Sequence, residues 1–348
     1  MSVKPEESRR RFLGAAVAAG LWPVAAQAQR ITTNTPPGVS SADQDAASLK
    51  ARTDAADLLT VAVLVNGRGP FNFVVDTGAE RSVLCNEVAA TLNLAQGETV
   101  TIEGIATAMT VATVHADAIG FGPFVRKDVL MPLLPRSTLA ADGYLGLDAI
   151  NGTRVTFDFK HHQLHIEQPK AIFDAGRVND LRVQQPSGVQ APRLSETWIA
   201  AHGKAGRLQI ADCLVGGIPA VAFVDTGAEI SVGNPALLKA LKTFHQSVPD
   251  LGSIILTGVT GGQLAGEVIS VDRINVQDLT FSESFLAIAD APDFTTWGLR
   301  DKPAVLIGMN YLRQFASVTV DYRAKAIRFE LSEAPPLPRP EVAITARV

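Results

Sequence analysis

The 348-residue sequence predicts an all-β chain built as two pseudo-symmetric lobes with a few short helices. Three observations carry that expectation. Short runs rich in valine and threonine alternate with glycine turns, and sustained helical periodicity is scarce. The stretch Leu59 to Val83 realigns without a gap on Leu208 to Val232, with 12 of 25 positions identical. A second, looser pair of elements then follows each copy at a similar distance. Self-similarity of this kind takes precedence over local assignments, because both copies need the same structural explanation.

Taken in order, the chain opens with an export segment over residues 1–28. Charged residues reach to Arg11, an apolar run LGAAVAAGLWPVAA follows, and Ala26-Gln27-Ala28 forms a small-x-small site. Ser8-Arg9-Arg10-Arg11-Phe12-Leu13 also resembles the bacterial twin-arginine signal over its full length. Cleavage after Ala28 removes four basic and two acidic side chains, which takes the formal charge from −4 to −6. The expected location is the periplasm, reached by the twin-arginine route. The apolar run is short for a membrane span and no later segment is longer, so no stable membrane insertion is expected after processing.

Residues 29–57 read as a polar leader, loose or partly ordered as a first strand. The first lobe spans 58–167. It begins with two β-rich runs around Asn66-Gly67-Arg68-Gly69-Pro70, a hairpin that leads into VVDTGAERSV. The linker 168–193 contains QQPSGVQAP, and the second lobe spans 194–332. There the hairpin turns at Gly216-Gly217 and leads into FVDTGAEIS. Helices are expected after each motif, at Asn86 to Leu94 and at Asn234 to Phe244, the second with Asn before Pro at its start. Toward the end of each lobe, DGYLGLDAI matches AVLIGMNYL, with Leu145-Gly146 and Ile307-Gly308 as equivalent apolar-Gly pairs. Alternating strands follow from Val155 and Val318. A tail, 333–348, contains PPLPRP, which cannot continue a central strand.

The chemistry lies in Asp76 and Asp225. Each closes an apolar strand, FNFVV or AVAFV, where a carboxylate buried alone would be expensive. Gly78 and Gly227 let the chain turn tightly and bring backbone N–H groups to the acid. Thr77 and Thr226 add hydroxyls that both donate and accept. If the lobes face each other across a pseudo-two-fold axis, the two carboxyls meet at the seam and share one proton. One then serves as base toward a water and the other as acid toward a carbonyl, enough to hydrolyse an amide without metal or covalent intermediate.

Asp-Thr-Gly-Ala followed by an apolar-Gly element, once per lobe, resembles the aspartic peptidases, in particular the retroviral (retropepsin-like) type as it occurs in bacteria. The resemblance covers nearly all of the chain after residue 28. It implies an acid-protease fold of closed-barrel lobes with the active site between them, and an aspartic-type endopeptidase acting on peptide or protein. It implies Asp76 and Asp225 as the catalytic pair and Thr77 and Thr226 as interlocking hydroxyls beneath them. Gly78 and Gly227 would form the catalytic loops, with Leu145, Gly146, Ile307 and Gly308 packed against them. Both motifs lie in one chain, so a monomer suffices where retroviral enzymes dimerise. Ala79 and Ala228 follow the glycines, nearer the retroviral than the pepsin form, and none of the three tyrosines is placed as a pepsin-type flap tyrosine. Flap turns are expected instead at Glu103-Gly104-Ile105-Ala106 and Gly258-Val259-Thr260-Gly261-Gly262. The alternative from another class is a catalytically inactive periplasmic peptide-binding or scaffold protein on the same fold.

Other features point to packing. The net charge and the lack of a basic patch argue against nucleic acid. Neither a metal nor an organic cofactor is expected: Glu80 and Glu229 lie four residues past the aspartates with no histidine nearby, and suit loop hydrogen bonding or the edge of the substrate site. His161, His162 and His165 read as the edge of a terminal strand. Cys85 and Cys213 fit packing positions in separate lobes. Trp297 suits either a substrate pocket or a core or lid position.

Overall fold

The computed structural model describes residues 46–50, 52–53, 59–168, 196–200, 202–204, 207–245, 247–277 and 279–331. The signal segment 1–28, much of the leader 29–57, all but the first residue of the linker 168–193, and the tail 333–348 lie outside the described residues. Two six-stranded closed barrels make up the lobes. In the first, Leu59–Val65, Arg68–Val75, Gly143–Leu145, Val83–Cys85, Phe124–Leu134 and Thr113–Phe121 follow one another, and Leu64 pairs with Gly120 to close the ring. In the second the ring runs Arg207–Val215, Ile218–Val224, Ala304–Ile307, Val232–Gly233, Leu279–Ile288 and Gln263–Val276, closed by Cys213 against Val276.

The repeat explains this equivalence strand by strand. Each opening hairpin turns on two residues of positive φ, Asn66 and Gly67 in one lobe and Gly216 and Gly217 in the other. Such turns match the twist of the paired strands. Along Leu59–Val65, Val61, Val63 and Val65 point inward and Ala62 and Leu64 outward, the period-two alternation of a barrel wall. Phe73, Leu84, Phe121 and Met131 fill the first interior, and Ile210, Ile269, Ile274 and Leu286 line the second. The first helix is Asn86–Leu92, with Cys85 Sγ accepting from the Val88 N–H and Asn93 ending it in the left-handed region. The second is Pro235–Phe244, capped by the Asn234 side chain on the Leu237 N–H at 2.9 Å. Cys85 and Cys213 are both buried and free.

A third sheet belongs to neither barrel. Its order is Ala46–Lys50, Gln163–Glu167, Arg154–Asp158, Phe315–Asp321, Ala326–Leu331 and Glu196–Ala200. The terminal strands of the two lobes pair antiparallel at its centre, where Thr156 faces Thr319 with the hydroxyls 2.9 Å apart. Arg154 crosses the seam to Asp321 at 2.8 Å. With neighbours on both sides, Phe315–Asp321 is buried along its whole length. The strand Gln163–Glu167 is likewise flanked on both sides, so His165 does not lie at a sheet edge as the sequence suggested. His161 and His162 are exposed, with His161 Nδ1 2.8 Å from Asp158. Among the described residues no helix is long and apolar enough to cross a membrane.

Candidate active site

Each aspartate is delivered by a strand that ends beside an apolar-Gly element. Val75 runs parallel to Leu145, and the Asp76 N–H donates to the Leu145 carbonyl at 3.0 Å; in the second lobe the Asp225 N–H donates to the Ile307 carbonyl at 3.0 Å. The chain then folds back on its own carboxylate. Asp76 Oδ1 accepts from the Gly78 and Ala79 N–H groups at 2.7 and 3.0 Å, and Asp225 Oδ1 accepts from Gly227 at 2.9 Å. A Cβ on Gly78 would lie 2.6 Å from Asp225 Oδ2, and one on Gly227 would lie 2.5 Å from Asp76 Oδ2. Glycine therefore lets each loop touch the opposite carboxyl.

The threonines lock the two loops together. Thr77 Oγ1 donates to the Val224 carbonyl at 2.9 Å and Thr226 Oγ1 donates to the Val75 carbonyl at 2.7 Å. In return each hydroxyl accepts the other threonine's N–H, at 3.1 and 3.2 Å. Behind them, Gly146 and Gly308 pack against the loop backbones. Leu147 and Met309 N–H groups each donate to an alanine carbonyl of the motif, Ala79 or Ala228, at 2.8 Å. The Ser82 hydroxyl bridges the Gly146 N–H and Asp148, and the Ser231 hydroxyl bridges the Gly308 N–H and Asn310 in the same manner.

The two carboxyls lie at the seam, each against the glycine of the opposite loop, and are buried, at 0% and 3% exposure. Asp76 Oδ2 accepts from no N–H or O–H of the described residues and sits against Gly227 of the opposite loop. Burial raises Asp76 well above the ordinary carboxyl range, and the charge of Asp225 raises it further, against the Gly78 and Ala79 amides. Burial also pushes Asp225 up, to about 6, opposed by the Gly227 amide, the Asp76 carboxyl and Arg207. Two buried carboxyls this close, both raised by burial, favour a state with one proton between them.

Two hairpins pack beside the loop that carries Ala228. One joins Val100–Glu103 to Ala108–Val111; the other joins Asp250–Thr257 to Gln263–Val276. Their tips, which hold Gly104, Ile105, Val259 and Gly261, meet: Thr260 Oγ1 donates to the Thr107 carbonyl at 3.2 Å. Ile105, 1% exposed, packs into an apolar cluster of the second lobe with Phe223, Ala228, Trp297 and Leu306. Glu103 Oε2 accepts from Thr296 at 2.9 Å and ties this hairpin to the turn Pro292–Thr296. Trp297 is a wall of that cluster, with its ring 4.7 Å from Phe223.

Arg207 and Asp293 were not legible in the sequence. Arg207 is buried and crosses between lobes, donating from Nε to the Gly78 carbonyl at 3.2 Å and pairing with Glu80 at 3.0 Å. Glu80 is therefore a loop anchor. No local signal separates Arg207 from an ordinary strand-start charge, and Asp293 follows a proline like any helix-opening acid.

A family model described as aspartyl protease matches the chain twice, over residues 61–149 and 211–311, each match containing one Asp-Thr-Gly loop with its apolar-Gly element. A search of curated proteins found no match.

Proposed function

Because this chain belongs to the aspartyl protease family, matched once in each lobe, we propose that it is an endopeptidase of the retroviral type that cleaves peptide bonds with a water activated by Asp76 and Asp225. The observation that carries this reading is two buried carboxyls at the seam, each against the glycine of the opposite loop. Asp225, ionised, takes a proton from water as the water oxygen attacks the carbonyl carbon, and Asp76 gives its proton to the carbonyl oxygen. In the second half, protonated Asp225 gives its proton to the amide nitrogen as the C–N bond breaks. Asp76 meanwhile takes a proton back from the diol. Both acids return to their starting states, and the products are a carboxylic acid and an amine. Thr77, Gly78, Thr226 and Gly227 hold the pair, Leu145, Gly146, Ile307 and Gly308 brace the loops, and the hairpin tips at Gly104, Ile105, Val259 and Gly261 lift to admit substrate.

The reaction uses no metal or organic cofactor, and one chain suffices. Export to the periplasm by the twin-arginine route, with cleavage after Ala28, is part of the same proposal. Fractionation and N-terminal sequencing test it, and an intact cytoplasmic chain would sink it.

The test of activity is cleavage of a diverse peptide mixture from pH 3 to 9 with EDTA present, for the chain from residue 29 and for one beginning at Leu58. A bell-shaped profile is expected. Activity is lost as pH falls through about 6, where Asp225 takes up a second proton, and again at higher pH where Asp76 loses its own. Asp76→Asn and Asp225→Asn should each cost about 10²–10⁴-fold in kcat. Turnover that survives both changes rejects the mechanism. A folded sample with no activity favours the peptide-binding alternative.

A further inference from the structure

The turn Pro292–Thr296 carries a carboxyl that the reaction above does not use. Asp293 is 3% exposed, and its Oδ1 accepts from no N–H or O–H of the described residues. An unpaired buried carboxyl oxygen costs stability, and it marks a place where a ligand can supply the missing donor. Asp293, Thr296 and Trp297 stand three and four positions apart and so share one side of the turn. That side meets the first hairpin and the catalytic loops. Thr296 bonds Glu103, the Arg207 guanidinium lies 5.2 Å from the Trp297 ring, and Asp293 feels the charges of Asp225, Arg207 and Glu103.

Arg207 is a cation of this corner, and it is already engaged with Gly78 and Glu80. Against it stand Glu103, Glu80 and the single charge of the catalytic pair, so negative charge predominates even while Asp293 is protonated. The adjoining walls, Phe223 and Trp297, are apolar.

We propose that Asp293 makes this corner a subsite for a basic substrate side chain, lysine or arginine, beside the scissile bond. The aliphatic stem lies along Phe223 and Trp297, and the cationic head meets Asp293 and Glu103. The subsite rests on the peptidase reading. In the free protein Ile105 fills its apolar part, so the hairpin has to lift before a side chain can enter. Burial first, then the charges of Asp225 and Glu103, push the Asp293 carboxyl up to about 8 against Arg207. Unliganded, it stays protonated at neutral pH, and an incoming ammonium favours its ionised form. Preference for the basic side chain is therefore weak at pH 5 and grows toward pH 8.

Two measurements test this. First, peptides that differ only by lysine or norleucine at each position flanking the cleaved bond are bound to the full chain carrying Asp76→Asn, followed by fluorescence anisotropy at pH 5 and 7.5. At one position lysine should bind about tenfold more tightly at pH 7.5, and adding Asp293→Asn should abolish the difference. Asp293→Leu should favour norleucine. Second, kcat/KM for the same peptides with the unmodified active site should show the same preference. Lysine-selective binding without any cleavage sinks the peptidase reading and leaves the subsite standing. Cleavage indifferent to lysine overturns the subsite, as does lysine preference that survives Asp293→Asn.

Discussion

Thr226 satisfies the Val75 carbonyl and the Thr77 N–H at once, both inside the interface between the catalytic loops. Thr226→Val strips a donor and an acceptor from buried partners and should cost about 1–3 kcal/mol in denaturant melts, with kcat falling more than KM rises. Thr226→Ser keeps the hydroxyl and should recover most of both. Asp293 carries the opposite sign. Its carboxyl ionises near 8 when folded and near 3.8 when free, so the folded chain holds a proton that the unfolded chain releases between those values. Stability falls as pH rises through that window. Asp293→Asn should therefore stabilise the protein by a few kcal/mol at pH 8, on the order of 2–5, and by little at pH 4. Melts at the two pH values measure the difference, and an equal shift at both would contradict it. Asp76, Asp225 and their threonines were legible because each copy of the repeat prints them side by side. Arg207 and Asp293 were not, because their meaning depends on neighbours brought from Gly78, Glu80 and Glu103 in the other lobe.

At the scale of elements, the first hairpin, the proposed flap, is held by a contact that can be removed without touching its tip. Thr296→Val deletes the hydrogen bond to Glu103 and leaves Ile105 and the carboxyl pair in place. Opening should become easier by about tenfold, since a bond to a charged acceptor is lost. Amide exchange over residues 100–111 should accelerate accordingly, with kcat little changed and KM lowered. Unaltered exchange would mean that the latch contributes nothing. The sequence located both hairpin tips from glycines at matching distances past each motif, and the second helix from its Asn-Pro start; the first helix ends at Leu92, two residues before the expected Leu94. It did not show where the ungapped repeat breaks. Opening strands are irregular between Val63 and Val65 in one lobe but between Ile210 and Cys213 in the other. Cys213 consequently faces Ala220 as Val63 faces Phe71, and it is buried where Leu64, its partner in the alignment, is exposed. A bulge changes which face a side chain takes without changing the residue count of the repeat.

The whole molecule is two barrels joined by a sheet to which both contribute, and that sheet was the least legible part. Its central strands read as alternating strands in the sequence, but nothing local says that Thr156 should face Thr319 rather than a strand of its own lobe. The outer strand Ala46–Lys50 lies in what composition marks as leader, because a strand that only completes a sheet needs little apolar signal of its own. The architecture brings Asp76 and Asp225 together within one chain, and this is the claim on which the rest depends. Complementation tests it most directly. Asp76→Asn and Asp225→Asn chains, each purified, are assayed for peptide cleavage alone, mixed in equal amounts, and refolded together from denaturant, beside a concentration series of the unmodified chain. One chain that supplies both acids predicts wild-type activity per chain independent of concentration, with both variants and both mixtures inactive. Recovery of activity in either mixture, or a specific activity that falls on dilution, would contradict it.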